Sequence, residues 1–201
     1  FNNIDLRKIE FSSKNNFLFN INKKFKFNNL KVESIIHLNQ LIFNEKNLKL
    51  KSYIPSFIEE IKLEEHKIVI KYNKNKFDIN GNGNILIEDK TDNLSYQIIK
   101  DNINFSFDSK INLKNNSLLI DFLDYEKKEG SNCLVLIKGV FNKNNQLRFD
   151  LINLKEKNNE ITIKGLDLNK NFKIIDIESF NIDFKNNKKI INKLNLKKDN
   201  S

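Results

Sequence analysis

Residues 66–113 read HKIVIKYNKNKFDINGNGNILIEDKTDNLSYQIIKDNINFSFDSKINL, and this stretch decides the fold. Its hydrocarbon side chains recur at every second position: Ile68, Ile70 and Tyr72, then Phe77 and Ile79, then Ile85 and Ile87, then Leu94, Tyr96 and Ile98, then Ile103, Phe105 and Phe107. Successive side chains of a β-strand point to opposite faces, so a period of two gathers these residues on one face and leaves Lys, Asn, Asp and Ser on the other. Between the runs stand NKNK (73–76) and DKTDN (89–93). Asn tolerates left-handed backbone and hydrogen-bonds locally, so these are turns, and turns this short between strands make antiparallel hairpins.

The same texture continues outward. Upstream lie FLFNI (Phe17, Phe19, Ile21), KFKF (Phe25, Phe27) and LKVESIIHL, where Leu30, Val32, Ile36 and Leu38 share a face. Downstream lie INL (Ile111, Leu113), LIDF (Ile120, Phe122), LVLIKGVF (Leu134, Leu136, Val140), LRFDL (Leu147, Phe149, Leu151), ITIKG (Ile161, Ile163) and FNIDF (Phe180, Ile182, Phe184), with further turns at 113–117, 142–146 and 155–160. The pattern predicts an all-β chain, a long antiparallel meander with at most one short helix. That helix candidate is Pro55–Glu65, where Ser56 and Glu59 have capping-box spacing and Phe57, Ile58 and Ile61 share a helical face; an irregular crossing is the alternative. No composition shift marks a linker, so residues 1–201 form a single β-rich segment, with 186–201 either a frayed end or the start of a further strand.

A formal charge of +9, from 35 Lys plus Arg against 26 Asp plus Glu, raises the question of a polyanion partner. The composition answers it: Lys, Asn and Ile dominate and Phe is frequent, as AT-rich codons favour, and only Arg7 and Arg148 are arginine. The basic runs Lys23-Lys24, Lys127-Lys128, Lys188-Lys189 and Lys197-Lys198 sit beside turns or the C-terminus, and Lys elsewhere alternates with apolar residues, as a solvated strand face requires. No nucleic-acid partner is expected. Aromatic and basic residues interleave in KKFKF, but on a strand they face opposite ways and cannot stack and neutralise together.

No constellation of catalytic groups stands out. His37 falls on the polar side of its strand and His66 in a turn, both as surface histidines without metal-ligand company. Asp121, Asp124 and Glu126 read as solvating acids without a nucleophile or base beside them. Gly81-Asn82-Gly83 lacks the third glycine and the helix of a dinucleotide fingerprint, and reads as a hairpin turn or a bulge; Gly139 and Gly165 follow apolar runs and let the sheet bend. Cys133, the only cysteine, is a buried structural thiol. No cofactor or metal is expected. No run reaches the roughly 20 apolar residues of a membrane-spanning helix, and a start at Phe1 reads as an excerpt of a longer protein.

A one-sided sheet must cover its apolar face by packing on a second sheet, by closing into a barrel or by curling around apolar cargo, and alternation is the same for all three. The long succession of hairpins, the IxIxG strand end at Ile161–Gly165 and the near-absence of helix, over roughly residues 15–185, resemble the periplasmic β-rich regions of the AsmA-like superfamily, of YhdP/TamB type. That resemblance implies a twisted sheet curling into an open hydrophobic groove that shields phospholipid acyl chains. Its lining would be the alternating residues from Ile68 to Phe107 other than Tyr72, then Ile120, Phe122, Leu134, Leu136, Leu147, Phe149, Ile161, Ile163, Phe180 and Ile182. It further implies a periplasmic location, an inner-membrane anchor outside this segment, envelope protein partners of unknown identity, a part in inner-to-outer membrane phospholipid transport and outer-membrane maintenance, and no catalytic residue. The competing expectation is a closed β-sandwich or solenoid, a structural or interaction module of a cell-surface protein.

Overall fold

The computed structural model describes residues 4–45, 60–87, 90–101, 103–141 and 146–199. The chain runs through β1 Ile4–Ile21, β2 Phe27–Glu45, β3 Glu60–Asn73, β4 Lys76–Ile87, β5 Lys90–Asp101 and β6 Asn104–Leu113, then β7 Leu118–Ile120 and β8 Tyr125–Lys127. It continues through β9 Cys133–Phe141, β10 Leu147–Glu156, β11 Asn159–Leu168, β12 Ile174–Asp176, β13 Ser179–Lys185 and β14 Ile191–Lys197. Twelve strands make one antiparallel sheet in the order β1-β2-β3-β4-β5-β6-β9-β10-β11-β13-β14, with the short β12 beside β11; β7 and β8 form a separate ribbon. The first and last strands of that order do not meet, so the sheet is open. The predicted all-β meander is therefore present, and the described residues include no second large sheet against which a sandwich could close.

The turns follow their chemistry. Lys74 and Asn75 take positive φ between β3 and β4, as a two-residue hairpin with right-handed strand twist requires. Asn22 and Asn169 each open a longer loop, accepting backbone N–H groups of Lys24 and Lys26 and of Asn171 and Lys173 on their side-chain oxygens.

Register places the apolar residues in rows that cross many strands. One row reads Val32, Tyr72, Phe77, Lys100, Phe105, Phe141, Leu147 and Leu168; the next reads Ser34, Ile70, Ile79, Ile98, Phe107, Gly139, Phe149 and Leu166. A third runs Ile36, Ile68, Gly81, Tyr96, Ser109, Ile137, Ile152, Ile163, Phe180 and Leu196. Irregularities keep the hydrocarbon on one side. Between Glu64 and Lys67 the pairing with β4 slips by one residue, and Glu65 takes φ 53°, so the odd-numbered Ile61 and Leu63 share the face of the even-numbered Ile68 and Ile70. A slip between Phe149 and Leu151, matched by Gly165 at φ 59°, does the same for β10 and β11.

Several expectations are corrected by this register. Leu134 and Leu136 lie on the opposite face, because β6 pairs Leu113 with Cys133 and Ile111 with Val135; the run CLVLI is apolar at both parities, so alternation alone had no preference. Leu151 leaves the apolar face at the bulge. Phe25 is not in a strand but at the tip of the β1–β2 turn, 87% exposed. Ile120 belongs to the separate β7–β8 ribbon and Phe122 to the 3-10 turn Asp121–Leu123, where it is 75% exposed. Gly81 and Gly83 sit mid-strand in β4, opposite the bulge. Thr91–Asn93 belong to β5, not a turn. Of the helix candidate Pro55–Glu65, the part from Glu60 is β3 and the rest lies outside the described residues, as do 142–145 of the predicted turn at 142–146. Residues 191–197 pair with β13 as a further strand.

Candidate functional site

Among the described residues the apolar face is covered at one end only. There Leu113, Cys133, Leu154, Ile161, Ile182 and Phe184 make a buried cluster with Tyr125, against which Leu118, Ile120 and Leu123 pack. Leu118 also reaches a second cluster around Ile61 and Ile87. The cover is thus the segment 114–132, which carries the β7–β8 ribbon. Away from it the face opens: Ile68, Ile70, Ile79, Ile98, Phe107, Phe149 and Ile163 are half-buried, and Phe77 and Phe105 are 37% and 40% exposed. Toward β1 exposure rises further, with Leu6, Ile9, Phe11 and Phe17 all more than half exposed.

Polar groups bolt the cover to the face. Asp92, 4% exposed on β5, accepts the backbone N–H groups of Lys114 (2.7 Å), Asn115 (2.9 Å) and Asn116 (3.2 Å) and the side-chain amide of Asn116 (2.7 Å). Lys127 is fully buried and donates from Nζ to the carbonyl oxygens of Lys114 and Asn116. Burial lowers the proton affinity of its ammonium, and the Asp92 carboxylate opposes that loss. Glu156 accepts the hydroxyls of Tyr125 (2.9 Å) and Ser131, and Lys90 pairs with Glu129 at 2.8 Å. The acids Asp124 and Glu126 accept the side-chain amides of Asn186 and Asn187, tying the ribbon to the β13–β14 turn. They are structural ties.

Cys133 lies under the cover at 2% exposure, its thiol pushed up to about 11 chiefly by burial, so it is a poor nucleophile as expected. His66 is a correction: it is 1% exposed, seated at the bulge over Gly83, where a Cβ would lie 2.3 Å from its ring. The Tyr96 ring similarly lies over Gly81, 5.9 Å from the His66 ring. Of the two readings of Gly-Asn-Gly the bulge holds and the hairpin turn does not, and each glycine makes room for an aromatic ring. His37 is exposed, as expected.

The buried histidine carries a pH prediction. Its Nε2 is 3.0 Å from the Asn84 carbonyl oxygen, which only accepts, so Nε2 holds the proton. Nδ1 is buried without a partner among the described residues, and a second proton there would find no acceptor among them. Desolvation therefore lowers the pKa of His66 below 6.5. A base depressed in the fold binds fewer protons than in the unfolded chain, so its contribution is complete above 6.5 and is lost as the pH falls below that value. The thermal midpoint should fall over this range in the wild type and fall less in His66→Gln; identical slopes would refute the assignment.

Comparison with protein-family models, curated proteins and solved structures yields no match to this chain. What fold and face define is a class: an open, one-sided antiparallel sheet with a polar-latched cover at one end of its apolar surface. Among the described residues no helix is long and apolar enough to cross a membrane.

Proposed function

We propose that this chain is a non-catalytic lipid-handling segment whose apolar face shields phospholipid acyl chains in a hydrophobic β-groove, as part of inner-to-outer membrane phospholipid transport and outer-membrane maintenance. The observation that carries the reading is the run of hydrocarbon rows from β3 to β11, half-buried in their middle and covered at one end. Transfer of an acyl chain from water to such a surface is favourable by about 0.8 kcal/mol per methylene, and an open face accepts a chain without a cavity having to form. The texture shared with YhdP/TamB-type regions adds the periplasmic setting and a tether in the inner membrane outside this segment. No chemistry is required of the protein.

The test is lipid extraction and native mass spectrometry of the chain purified from a bacterial host. Co-purified phospholipid is expected, reduced at least about tenfold by Ile98→Asp, which places a charge among hydrocarbon, and unchanged by Leu136→Asp on the opposite face. A lipid-free protein that also refuses added phospholipid would favour the interaction module, its face covered by another polypeptide.

A further inference from the structure

From β3 to β11, four charged residues have their places on the apolar face by register: Lys90, Asp92, Lys100 and Glu156. Three are satisfied by the cover, since Lys90 pairs with Glu129, Asp92 holds the 114–116 backbone, and Glu156 accepts Tyr125 and Ser131. Lys100 stands at the uncovered end and has no ion pair among the described residues. Its cross-strand neighbours are Phe77 and Phe105, and its Nζ lies 5.9 and 5.4 Å from the two ring centroids. Cation–π contact holds the ammonium over the rings without neutralising it.

The surroundings complete a site. Lys100 borders a shallow concavity of about 680 Å³ with Val32, Ile70, Tyr72, Asn75 and Phe77. The Tyr72 hydroxyl donates to Asn75 Oδ1 at 3.1 Å, which leaves the Asn75 amide N–H groups free to donate elsewhere. Lys74 and Lys76 flank Asn75 in the turn, while Asp78 and Asp101, the nearest acids in sequence, belong to the opposite face by strand parity. Directly inward of this row lies Ile70, Ile79, Ile98 and Phe107.

We infer that Lys100, with Asn75 beside it, binds the phosphodiester of a phospholipid whose acyl chains lie on the Ile70–Ile79–Ile98–Phe107 row. The inference rests on the lipid-handling reading and gives the bound lipid a direction: headgroup at the open rim, tails toward the cover. A positive group within the apolar surface is costly to keep unpaired, and a phosphate oxygen supplies the charge-assisted hydrogen bond that the cover supplies to the other three.

The test compares two soluble short-chain probes with the same tails, dihexanoylphosphatidylglycerol and dihexanoylglycerol, by titration followed with NMR of the purified chain. The wild type should bind the phosphatidylglycerol about five- to tenfold more tightly, the effect of one half-exposed charge pair. Lys100→Gln should erase that preference while still binding dihexanoylglycerol, and Lys100→Arg should restore it. Equal binding of both probes, unaltered in Lys100→Gln, would overturn the headgroup site and leave the groove standing. Binding of neither probe would overturn the groove and the headgroup site with it.

Discussion

Asp92→Ala is expected to lower the unfolding free energy by on the order of 3 kcal/mol and to make Cys133 react with thiol reagents in the native protein. The carboxylate accepts the backbone N–H groups of residues 114, 115 and 116, and it shares the Asn116 amide with the Lys90 carbonyl oxygen. Truncation leaves those donors facing a methyl group, and each buried orphan costs about 1–3 kcal/mol unless water reaches it. It also removes the negative charge that favours the buried Lys127 ammonium. Both losses fall on one segment, so the cover lifts before the sheet melts and exposes the thiol beneath it. Asp92→Asn, able to accept on one oxygen, should lie between. A stable Asp92→Ala protein whose thiol stays unreactive would show that the apolar contacts alone hold the cover.

Phe184→Ala is expected to cost about 3–5 kcal/mol, the range for deleting a fully buried aromatic ring. Phe184 is 2% exposed at the end of β13, edge-on to Tyr125 with ring centroids 5.3 Å apart, in the cluster that joins sheet and cover. Tyr125 cannot follow into the gap, because its hydroxyl is held by Glu156. The cavity therefore stays open and its full penalty is felt in chemical denaturation. Phe122→Ala, at the exposed tip of the same ribbon, should change stability by less than about 0.5 kcal/mol. Comparable losses for the two would contradict the packing described.

The central parts of β3 to β6 were legible because an apolar residue recurs there at every second position and Asn-rich turns lie between the runs, whereas Glu60–Glu65 and Thr91–Asn93 read as helix and turn. Legibility failed where that signal degenerates. Cys133–Ile137 is apolar at both parities, and only pairing with β6 chooses Cys133, Val135 and Ile137 over Leu134 and Leu136. In β1 the polar stretch Ser12–Asn16 sits inside an 18-residue strand, where neighbouring pairing overrides weak local propensity. The cover could not be foreseen as an element, since three-residue strands carry no periodicity. One trace of it was present: Lys90, Asp92 and Glu156 occupy apolar-face positions, and charges there call for a polar partner from outside the sheet. Lys100 bears the same mark without such a partner among the described residues, which is why it stands out once the register is known.

The most direct test of the lipid-handling face is photo-crosslinking in living bacteria with benzoylphenylalanine placed at position 98 or at position 136. The half-buried apolar row predicts a phospholipid adduct at 98 and none at 136. Adducts only to protein at 98, or lipid adducts equal at both positions, would contradict it.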